Sequence, residues 1–341
     1  MKHNPTINWI TRNIQFDRCP SSCQIPETKA FVKIRTFATK STELAAAAAA
    51  KQPKKTFEEI VPLSLHVFRD IFEPSSFDEF PNRKPWDHAI DLLPTADFTK
   101  WPKKIYSLSV EEQKLLDKFL EENLATGRIR PSKSPCPSPF FCIRKKDGSL
   151  RPVMDYKRIN DLTVKDRYPL PLISEILDKT RQFSHFTKLD IRWGYNNVRL
   201  REGDEWKAAF TTNRGMYEPT VMFFGLTNSP ATFQRMMNEI FLEEILQGWL
   251  LIYMDDIFVM ANSIEENLRL TTIILEKCRQ NKLFFKPEKC VFAQTEVEYL
   301  GLIISKGERR MDPIKTQAIA EWPIPQSPKQ LRSFLGFVNY Y

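Results

Sequence analysis

Two adjacent aspartates, Asp255 and Asp256, interrupt an otherwise apolar stretch, WLLIYMDDIFVM, at residues 249–260. The flanking runs have the aliphatic and aromatic composition of buried strands. Such surroundings disfavour an isolated carboxylate, and two neighbouring carboxylates also repel each other. Two interpretations remain open on these residues alone. The stretch is either the acidic turn of a β-hairpin, where Asp is common, or a site for a cation.

The composition is that of an ordinary globular protein, with 42% hydrophobic and 27% charged residues in 341. No run approaches the roughly 18 apolar residues of a membrane span. The start, MKHNPTINWI, has no apolar signal core, which predicts a cytoplasmic protein without membrane contact. The six cysteines are scattered and do not predict a disulfide framework. Cys19 and Cys23 lack the further ligands of a zinc knuckle.

Positive charge is concentrated in one part of the chain. The formal net charge is +8, but Gly127 to Arg201 holds 17 Lys and Arg against 7 Asp and Glu, a net +10. A concentrated basic segment favours a polyanionic partner, most simply nucleic acid. A solvated basic surface is the alternative.

The chain changes character near residue 101. Before it, a low-complexity stretch and repeated prolines predict a linker with short docking segments such as LSLHVFRDIF. After it, three helices are expected. The first is capped by Ser109 and Glu112, carries Leu115, Leu116, Phe119, Leu120 and Leu124 on one face and ends at Gly127. The second begins at Ser229-Pro230, with an inward stripe of Phe233, Met237, Ile240 and Phe241. The third runs from Ser263, boxed by Glu266, to about Asn281.

Strand patterns alternate with these helices. They are a hairpin turning at Asp147-Gly148, the run FTKLDI, the aspartate hairpin and the run VEYLGLIIS. The glycine-rich phosphate loop of nucleotide-binding α/β folds is absent from the sequence. We therefore predict an α+β fold, a sheet with helices on one face, of the split βαβ kind.

A third carboxylate is needed if the aspartate pair is to bind two metal ions. Asp190 ends the run FTKLD, 65 residues upstream of Asp255, and a helix and two strands fit between them. This spacing allows the two strands to lie side by side. Two ions held about 3.5 to 4 Å apart can activate a hydroxyl and stabilise a leaving pyrophosphate.

Five ordered motifs carry a resemblance to a known family. They are SPFFCIRKKDGSLRPVMDYKRIN, LDIRWGY, FFGLTNSPATFQ, YMDD and EVEYLGLIIS. Together they resemble the reverse transcriptase of gypsy-class LTR retrotransposons, from about residue 80 to the C-terminus. The resemblance implies a right-hand polymerase with fingers, a split βαβ-like palm and the start of a thumb, preceded by a largely irregular N-terminal segment.

The resemblance also implies roles for particular residues. Asp190, Asp255 and Asp256 match the catalytic carboxylates that bind two Mg²⁺ ions, with Mn²⁺ as a substitute, and Asp190 and Asp255 match the direct ligands of both. Residues that match nucleotide-binding positions are Lys145, Arg151, Tyr195, Phe224 and Gly225. Of these, Lys145 and Arg151 would clamp the triphosphate, and Tyr195 would exclude a ribose 2′-hydroxyl.

Three further residues match positions on the primer side of the site, and a fourth is a candidate for acid catalysis. Tyr299, Leu300 and Gly301 match the primer grip, which holds the 3′ hydroxyl in line. Lys289 is a candidate general acid for the leaving pyrophosphate. Without the resemblance, a basic surface hairpin and a core tyrosine would be the better interpretations of Lys145, Arg151 and Tyr195.

The resemblance divides the chain into five parts. Residues 1–18 resemble the end of a retropepsin-like protease whose catalytic loop is absent, 19–100 are a linker, 101–181 are mainly fingers, 182–305 are palm and 306–341 begin a thumb. Expected partners are an RNA or DNA template with its primer and dNTPs, in a polyprotein with protease, ribonuclease H and integrase, in the cytoplasm or in virus-like particles. A domesticated fragment that binds nucleic acid without polymerising is the alternative.

Overall fold

The computed structural model describes residues 6–8, 13–15, 56–73, 80–99, 101–102, 104–144, 148–171 and 178–339. The chain divides into two compact units, residues 1–39 and 40–341. In the first, strands β1 (Thr6–Asn8) and β2 (Asn13–Gln15) pair antiparallel. Cys19, Cys23 and Lys145 lie outside the described residues.

A four-stranded antiparallel sheet, called here the central sheet, organises the second unit. Its spatial order is β11, β6, β10, β9. The strands are β6 (His185–Asp190), β9 (Leu250–Tyr253), β10 (Asp256–Ala261) and β11 (Val291–Gln294). The register places Asp256 opposite Asp190. The prediction that the strand ending at Asp190 lies beside the aspartate hairpin is therefore confirmed.

Helices cover one face of the central sheet. They are α4 (Ser229–Ile240), α5 (Leu242–Leu246) and α6 (Ile264–Gln280). Alternation along β6 and β10 points Leu189, Ile257 and Val259 to this side, where they share one core with Phe233 and Met237.

The starts of two helices differ in detail from the prediction. Helix α4 has Pro230 in its first turn as expected, but its cap is Asn228 instead of Ser229, whose buried hydroxyl has no hydrogen-bond partner among the described residues. In α6, Ser263 accepts from the Glu266 backbone N–H, as predicted. The Glu266 carboxylate, however, accepts from the backbone N–H of Asn262 rather than of Ser263. Both helices nevertheless begin where the sequence indicates.

A second, smaller core lies on the opposite face of the central sheet. It is covered by an antiparallel sheet of β12 (Glu296–Tyr299), β13 (Leu302–Ser305) and β14 (Glu308–Met311). Phe258 stacks between Phe186 and Tyr299, with ring centroids 5.4 and 4.3 Å away. Helices α7 (Pro313–Ala320) and α8 (Pro328–Val338) follow.

A five-stranded mixed sheet has the order β3, β8, β7, β4, β5. Its strands are β3 (Ile129–Pro131), β4 (Ser138–Arg144), β5 (Leu150–Met154), β7 (Phe210–Thr212) and β8 (Gly215–Pro219). Strands β4 and β5 form the predicted hairpin, although Asp147 at its turn is not among the described residues.

Helix α2 (Val110–Ala125) packs against this sheet, and α3 (Lys157–Leu162) follows β5. The capping box of Ser109 and Glu112 is present in α2, as predicted, and Gly127 follows the helix with φ +70°. Leu124, predicted on the inward face, lies in the last turn of the helix and is instead 40% exposed, because an apolar stripe does not by itself determine how far the packing partner of a helix reaches.

The segments before residue 100 contribute to the main core. Helix α1 (Phe57–Ile60) precedes a 3-10 helix, Leu63–Ile71, whose Leu65, Phe68 and Ile71 are fully buried. Ile90 is also buried. The segment LSLHVFRDIF therefore docks, through its inward apolar residues.

None of the helices within the described ranges is both long enough and apolar enough to span a bilayer.

Candidate active site

The three aspartates singled out by sequence meet at one edge of the central sheet. Asp190 ends β6 and Asp256 begins β10 directly opposite. Residues opposed in antiparallel strands point to the same face with Cα atoms roughly 4.5–5.5 Å apart. Asp255 lies exposed in the turn before β10, and its carbonyl accepts from the backbone N–H of Ile191 at 3.1 Å. The turn and the end of β6 are thus joined through the backbone.

Gln234 of α4 holds this turn from the buried side. Its Oε1 accepts from the backbone N–H of Met254 at 2.8 Å, and its Nε2 donates to the Ile252 carbonyl at 3.2 Å and to Asn238 Oδ1 at 2.9 Å. Met254 has φ +56°, a left-handed conformation that a non-glycine residue adopts only when its surroundings impose it. We did not predict a role for Gln234; the available signal was an uncharged polar side chain on the inward face of α4.

Two lysines supply counter-charges to the aspartates. Lys289 Nζ is 3.1 Å from Asp190 Oδ2, and Lys188 Nζ is 3.5 Å from Asp256 Oδ1. Burial raises the pKa of Asp256, the carboxylates of Asp255 and Asp190 raise it further, and Lys188 opposes the shift. Lys289, the candidate general acid, therefore lies at the acidic edge.

The donor chemistry of this edge fits a hard divalent cation. In the part of the chain that the structure describes, no three His, Cys, Asp or Glu side chains already converge in coordinating geometry. Three carboxylates nevertheless share one edge, and carboxylate oxygen is the ligand that Mg²⁺ takes in proteins. Burial is the main cause of the raised pKa of Asp256, with smaller contributions from the neighbouring carboxylates of Asp255 and Asp190. A bound cation would offset the cost of holding these charges together.

The unfavourable environment of the charged Asp256 side chain leads to a testable prediction about stability. Because the folded state raises the pKa of Asp256, its charged form destabilises the fold at neutral pH. We expect Asp256→Asn to increase the free energy of unfolding at pH 7, in EDTA, by roughly 0.5–2 kcal/mol. The gain should shrink as the pH falls through the pKa of Asp256, where the wild-type carboxyl becomes neutral too. Urea unfolding at pH 7 and pH 3.5 measures this, and a destabilised variant at pH 7 would contradict it.

Tyr195 lies beside the acidic edge, on the 3-10 turn Gly194–Asn197. Its ring contacts Phe224, with centroids 4.8 Å apart, and Phe233, at 5.5 Å. Burial raises the pKa of Tyr195 to about 12, with a further contribution from Asp255. A Cβ at Gly194 would lie 2.9 Å from Phe233 Cζ, so glycine is required for this close packing.

Arg151 and Gly225 also border Phe224. The guanidinium carbon of Arg151, on β5, is 4.1 Å from the centroid of the Phe224 ring. Gly225 has φ +106°, which favours glycine. The side chain of Asn160, which we did not predict, donates to the Gly225 carbonyl at 2.7 Å and accepts from the backbone N–H of Thr227 at 2.8 Å. Four of the five predicted nucleotide residues therefore cluster, and the fifth, Lys145, is not described.

The predicted primer-grip residues form the turn between β12 and β13. Leu300 and Gly301 both have positive φ, and the Gly301 carbonyl accepts from Lys315 Nζ at 2.9 Å. The Tyr299 side chain is fully buried against Phe258, and no hydrogen-bond partner for its hydroxyl lies within the described ranges. A primer contact through this turn would therefore involve Leu300 and Gly301 rather than the Tyr299 side chain.

The fold is shared with solved polymerase structures. The foamy viral protease–reverse transcriptase dRH in complex with double-stranded DNA matches 81% of this chain and 48% of its own, with TM-score 0.72 and 20% identity. The foamy viral protease–reverse transcriptase in complex with RNA/DNA hybrid matches 81% of this chain and 37% of its own, with TM-score 0.69 and 20% identity. The chain therefore has the α+β fold of the right-hand polymerases, as predicted.

Sequence comparison identifies the family within this class. Residues 143–304 match the family model described as "Reverse transcriptase (RNA-dependent DNA polymerase)" and are therefore a reverse transcriptase domain. The chain is 38% identical over 243 residues to the Retrovirus-related Pol polyprotein from transposon 297 of Drosophila melanogaster, covering 70% of this chain and 23% of that protein. It is 34% identical over 276 residues to the Transposon Tf2-3 polyprotein of Schizosaccharomyces pombe, covering 80% and 20%. Its homologues are thus transposon polyproteins, and the chain spans only 20% to 23% of their length.

Proposed function

We propose that the chain is the RNA-directed DNA polymerase of a retrotransposon polyprotein of the gypsy class. It extends a primer on an RNA or DNA template by transferring nucleotides from dNTPs to the primer 3′ hydroxyl. The observation that carries the proposal is the juxtaposition of Asp190, Asp255 and Asp256 at one sheet edge in a reverse transcriptase domain. The complexes of the foamy viral proteins with double-stranded DNA and RNA/DNA hybrid support a template–primer duplex as the ligand.

Asp190 and Asp255 would hold two Mg²⁺ ions, or Mn²⁺, with Asp256 beside them. When bound, such ions supply Lewis-acid stabilisation of the attacking and leaving oxygens. Lys289 places an ammonium group next to Asp190, from which it can donate a proton to the leaving pyrophosphate. Arg151 offers planar N–H donors to the triphosphate, and Tyr195 borders the ribose.

The polymerase function also assigns a role to each part of the chain. Residues 101–181 form mainly fingers, 182–305 palm with the primer grip at Tyr299 to Gly301, and 306–341 the start of a thumb. Residues 19–100 are a linker with short docking segments, and 1–18 are a remnant of the C-terminal end of a retropepsin-like protease. The basic segment between Gly127 and Arg201 contacts the duplex backbone, which makes binding salt-dependent. The protein works in the cytoplasm or in virus-like particles, in a polyprotein that also contains ribonuclease H and integrase.

Primer extension tests the proposal against the alternative of a fragment that only binds nucleic acid. The assay uses poly(rA)–oligo(dT), dTTP and Mg²⁺, with Asp255→Asn as the matched variant. Extension that this substitution abolishes supports the polymerase. Duplex binding without extension, in both proteins, would favour the binding fragment.

The position of Tyr195 beside the ribose leads to a prediction about nucleotide selectivity. Tyr195→Ala removes the ring that would meet a ribose 2′-hydroxyl, so we expect the preference for dTTP over UTP to fall by at least roughly tenfold. The ratio of kcat/KM for the two nucleotides measures this preference. Phe233, buried behind Tyr195, keeps the pocket wall in place. An unchanged ratio in an active variant would show that Tyr195 is not the gate.

A further inference from the structure

Phe224 contacts two residues that are expected to meet opposite ends of the nucleotide. Arg151 Cζ lies 4.1 Å from its ring centroid, and the Tyr195 ring lies 4.8 Å away at an interplanar angle of 52°. We propose that Phe224 is a positioning residue, which holds the Arg151 guanidinium ready for the triphosphate and couples it to the ribose gate at Tyr195. The proposal rests on the polymerase function and deepens it.

The chemistry of the Arg151 contact is the first argument. An aromatic face attracts a guanidinium through the ring quadrupole and uses none of its N–H donors. Within the described ranges, no carboxylate lies within ion-pair distance of Arg151. Arg144 in the same hairpin differs, since it donates to Glu111 Oε2 at 3.1 Å and to the Gly148 carbonyl at 3.0 Å. Arg151 is therefore oriented while its donor edge stays available to phosphate oxygens, and that of Arg144 is occupied.

The support of the Phe224 ring is the second argument. The ring is 38% exposed, but the backbone beside it is fixed at Gly225, whose carbonyl accepts from Asn160. On the inner side, Tyr195 rests on the fully buried Phe233. The four side chains form one chain of contacts, in the order Arg151, Phe224, Tyr195, Phe233. The rings are tilted or edge-on to one another, and the inner end of the chain lies in the core. A substitution of Phe224 is therefore expected to affect both Arg151, which would clamp the triphosphate, and Tyr195, which would border the ribose.

A double-mutant cycle tests the coupling without requiring turnover. The equilibrium Kd of dTTP is measured on a primer–template whose primer ends in a dideoxynucleotide, for wild type, Phe224→Leu, Arg151→Ala and the double variant. Loss of a cation–π contact should weaken dTTP binding roughly 3- to 30-fold in Phe224→Leu. The double variant should bind no more weakly than Arg151→Ala, because Phe224 acts through Arg151. Phe224→Tyr keeps an aromatic face and should restore the Kd to within about twofold of wild type.

A second readout separates positioning from general destabilisation. Phe224→Leu should also lower the dTTP-over-UTP preference, and Phe224→Tyr should not. Arg214→Ala, the control, removes an exposed arginine that pairs with Asp117 outside the proposed sites and should leave the dTTP Kd unchanged. Two results, in a protein that extends primers, would overturn the coupling and leave the polymerase intact. The first is that the effects of Phe224→Leu and Arg151→Ala on the Kd are additive. The second is that Phe224→Tyr fails to restore the Kd. Absence of dTTP binding by a wild-type protein that binds duplex would overturn both.

Discussion

Asp190→Asn is expected to lower the rate of primer extension by at least roughly 10³-fold, with little change in duplex affinity. The substitution keeps the size of the side chain but removes a charge and a carboxylate oxygen from the acidic edge. Asp190 is buried at the end of β6, directly opposite Asp256. Single-turnover extension and duplex binding measured on the same preparation test this expectation.

Asp117→Asn provides the matched control for this experiment. Asp117 is an exposed carboxylate on α2 that pairs with Arg214 at 2.8 Å, and it lies in no predicted site. Its substitution should leave extension within about twofold of wild type. If Asp190→Asn extends primers as well as Asp117→Asn does, the acidic edge is not the catalytic site.

Gln234→Leu is expected to reduce extension by roughly 10²-fold, although Gln234 touches no substrate in the proposed reaction. The variant leaves the Met254 N–H and the Ile252 carbonyl without their side-chain partner inside the protein. Each such group costs roughly 1–3 kcal/mol of stability, which Met254 can relieve by leaving its φ of +56°. That relaxation would move Asp255, the next residue. Extension rates and urea unfolding of the same protein quantify both effects.

The dependence on Mg²⁺ distinguishes a positioning role for Gln234 from simple destabilisation. If Gln234 sets the position of Asp255, the Mg²⁺ concentration for half-maximal extension should rise in Gln234→Leu. Gln234→Glu keeps the acceptor for Met254 and should retain more activity than the leucine variant. A fall in stability with unchanged Mg²⁺ dependence would mean that Gln234 serves only the core.

The sequence predicted the parts of this fold that depend on local signals. The capping box at Ser109, the starts of α4 and α6 and the aspartate hairpin follow from capping chemistry and apolar patterning, which act over a few residues. The expected neighbour of the hairpin, the strand ending at Asp190, required only that the 64 residues between Asp190 and Asp255 fold back. The exposed Leu124 shows the limit of periodicity, because a helical stripe does not indicate where its covering sheet ends.

Sequence reasoning found only those residues of the candidate site whose side-chain type itself indicates metal binding or catalysis. Carboxylates in an apolar run indicate a functional site because their burial is costly. Gln234 and Asn160 give no such signal, since they are uncharged and bind backbone groups. Their partners, the turn at Met254 and the loop at Gly225, lie 20 and 65 residues away. No local pattern encodes such pairings. The contacts of Phe224 with Arg151 and Tyr195 likewise join three separate segments and emerge only in the folded chain.

Addition of a single nucleotide to a primer on a defined heteropolymeric RNA template tests the polymerase most directly. Each of the four dNTPs is offered alone, with Mg²⁺ and then with EDTA. We expect the primer to grow by the complementary nucleotide only, with Mg²⁺ only, and to stop where the next template base demands another dNTP. Duplex binding without any addition, or addition that ignores the template base, would contradict template-directed polymerisation by this chain.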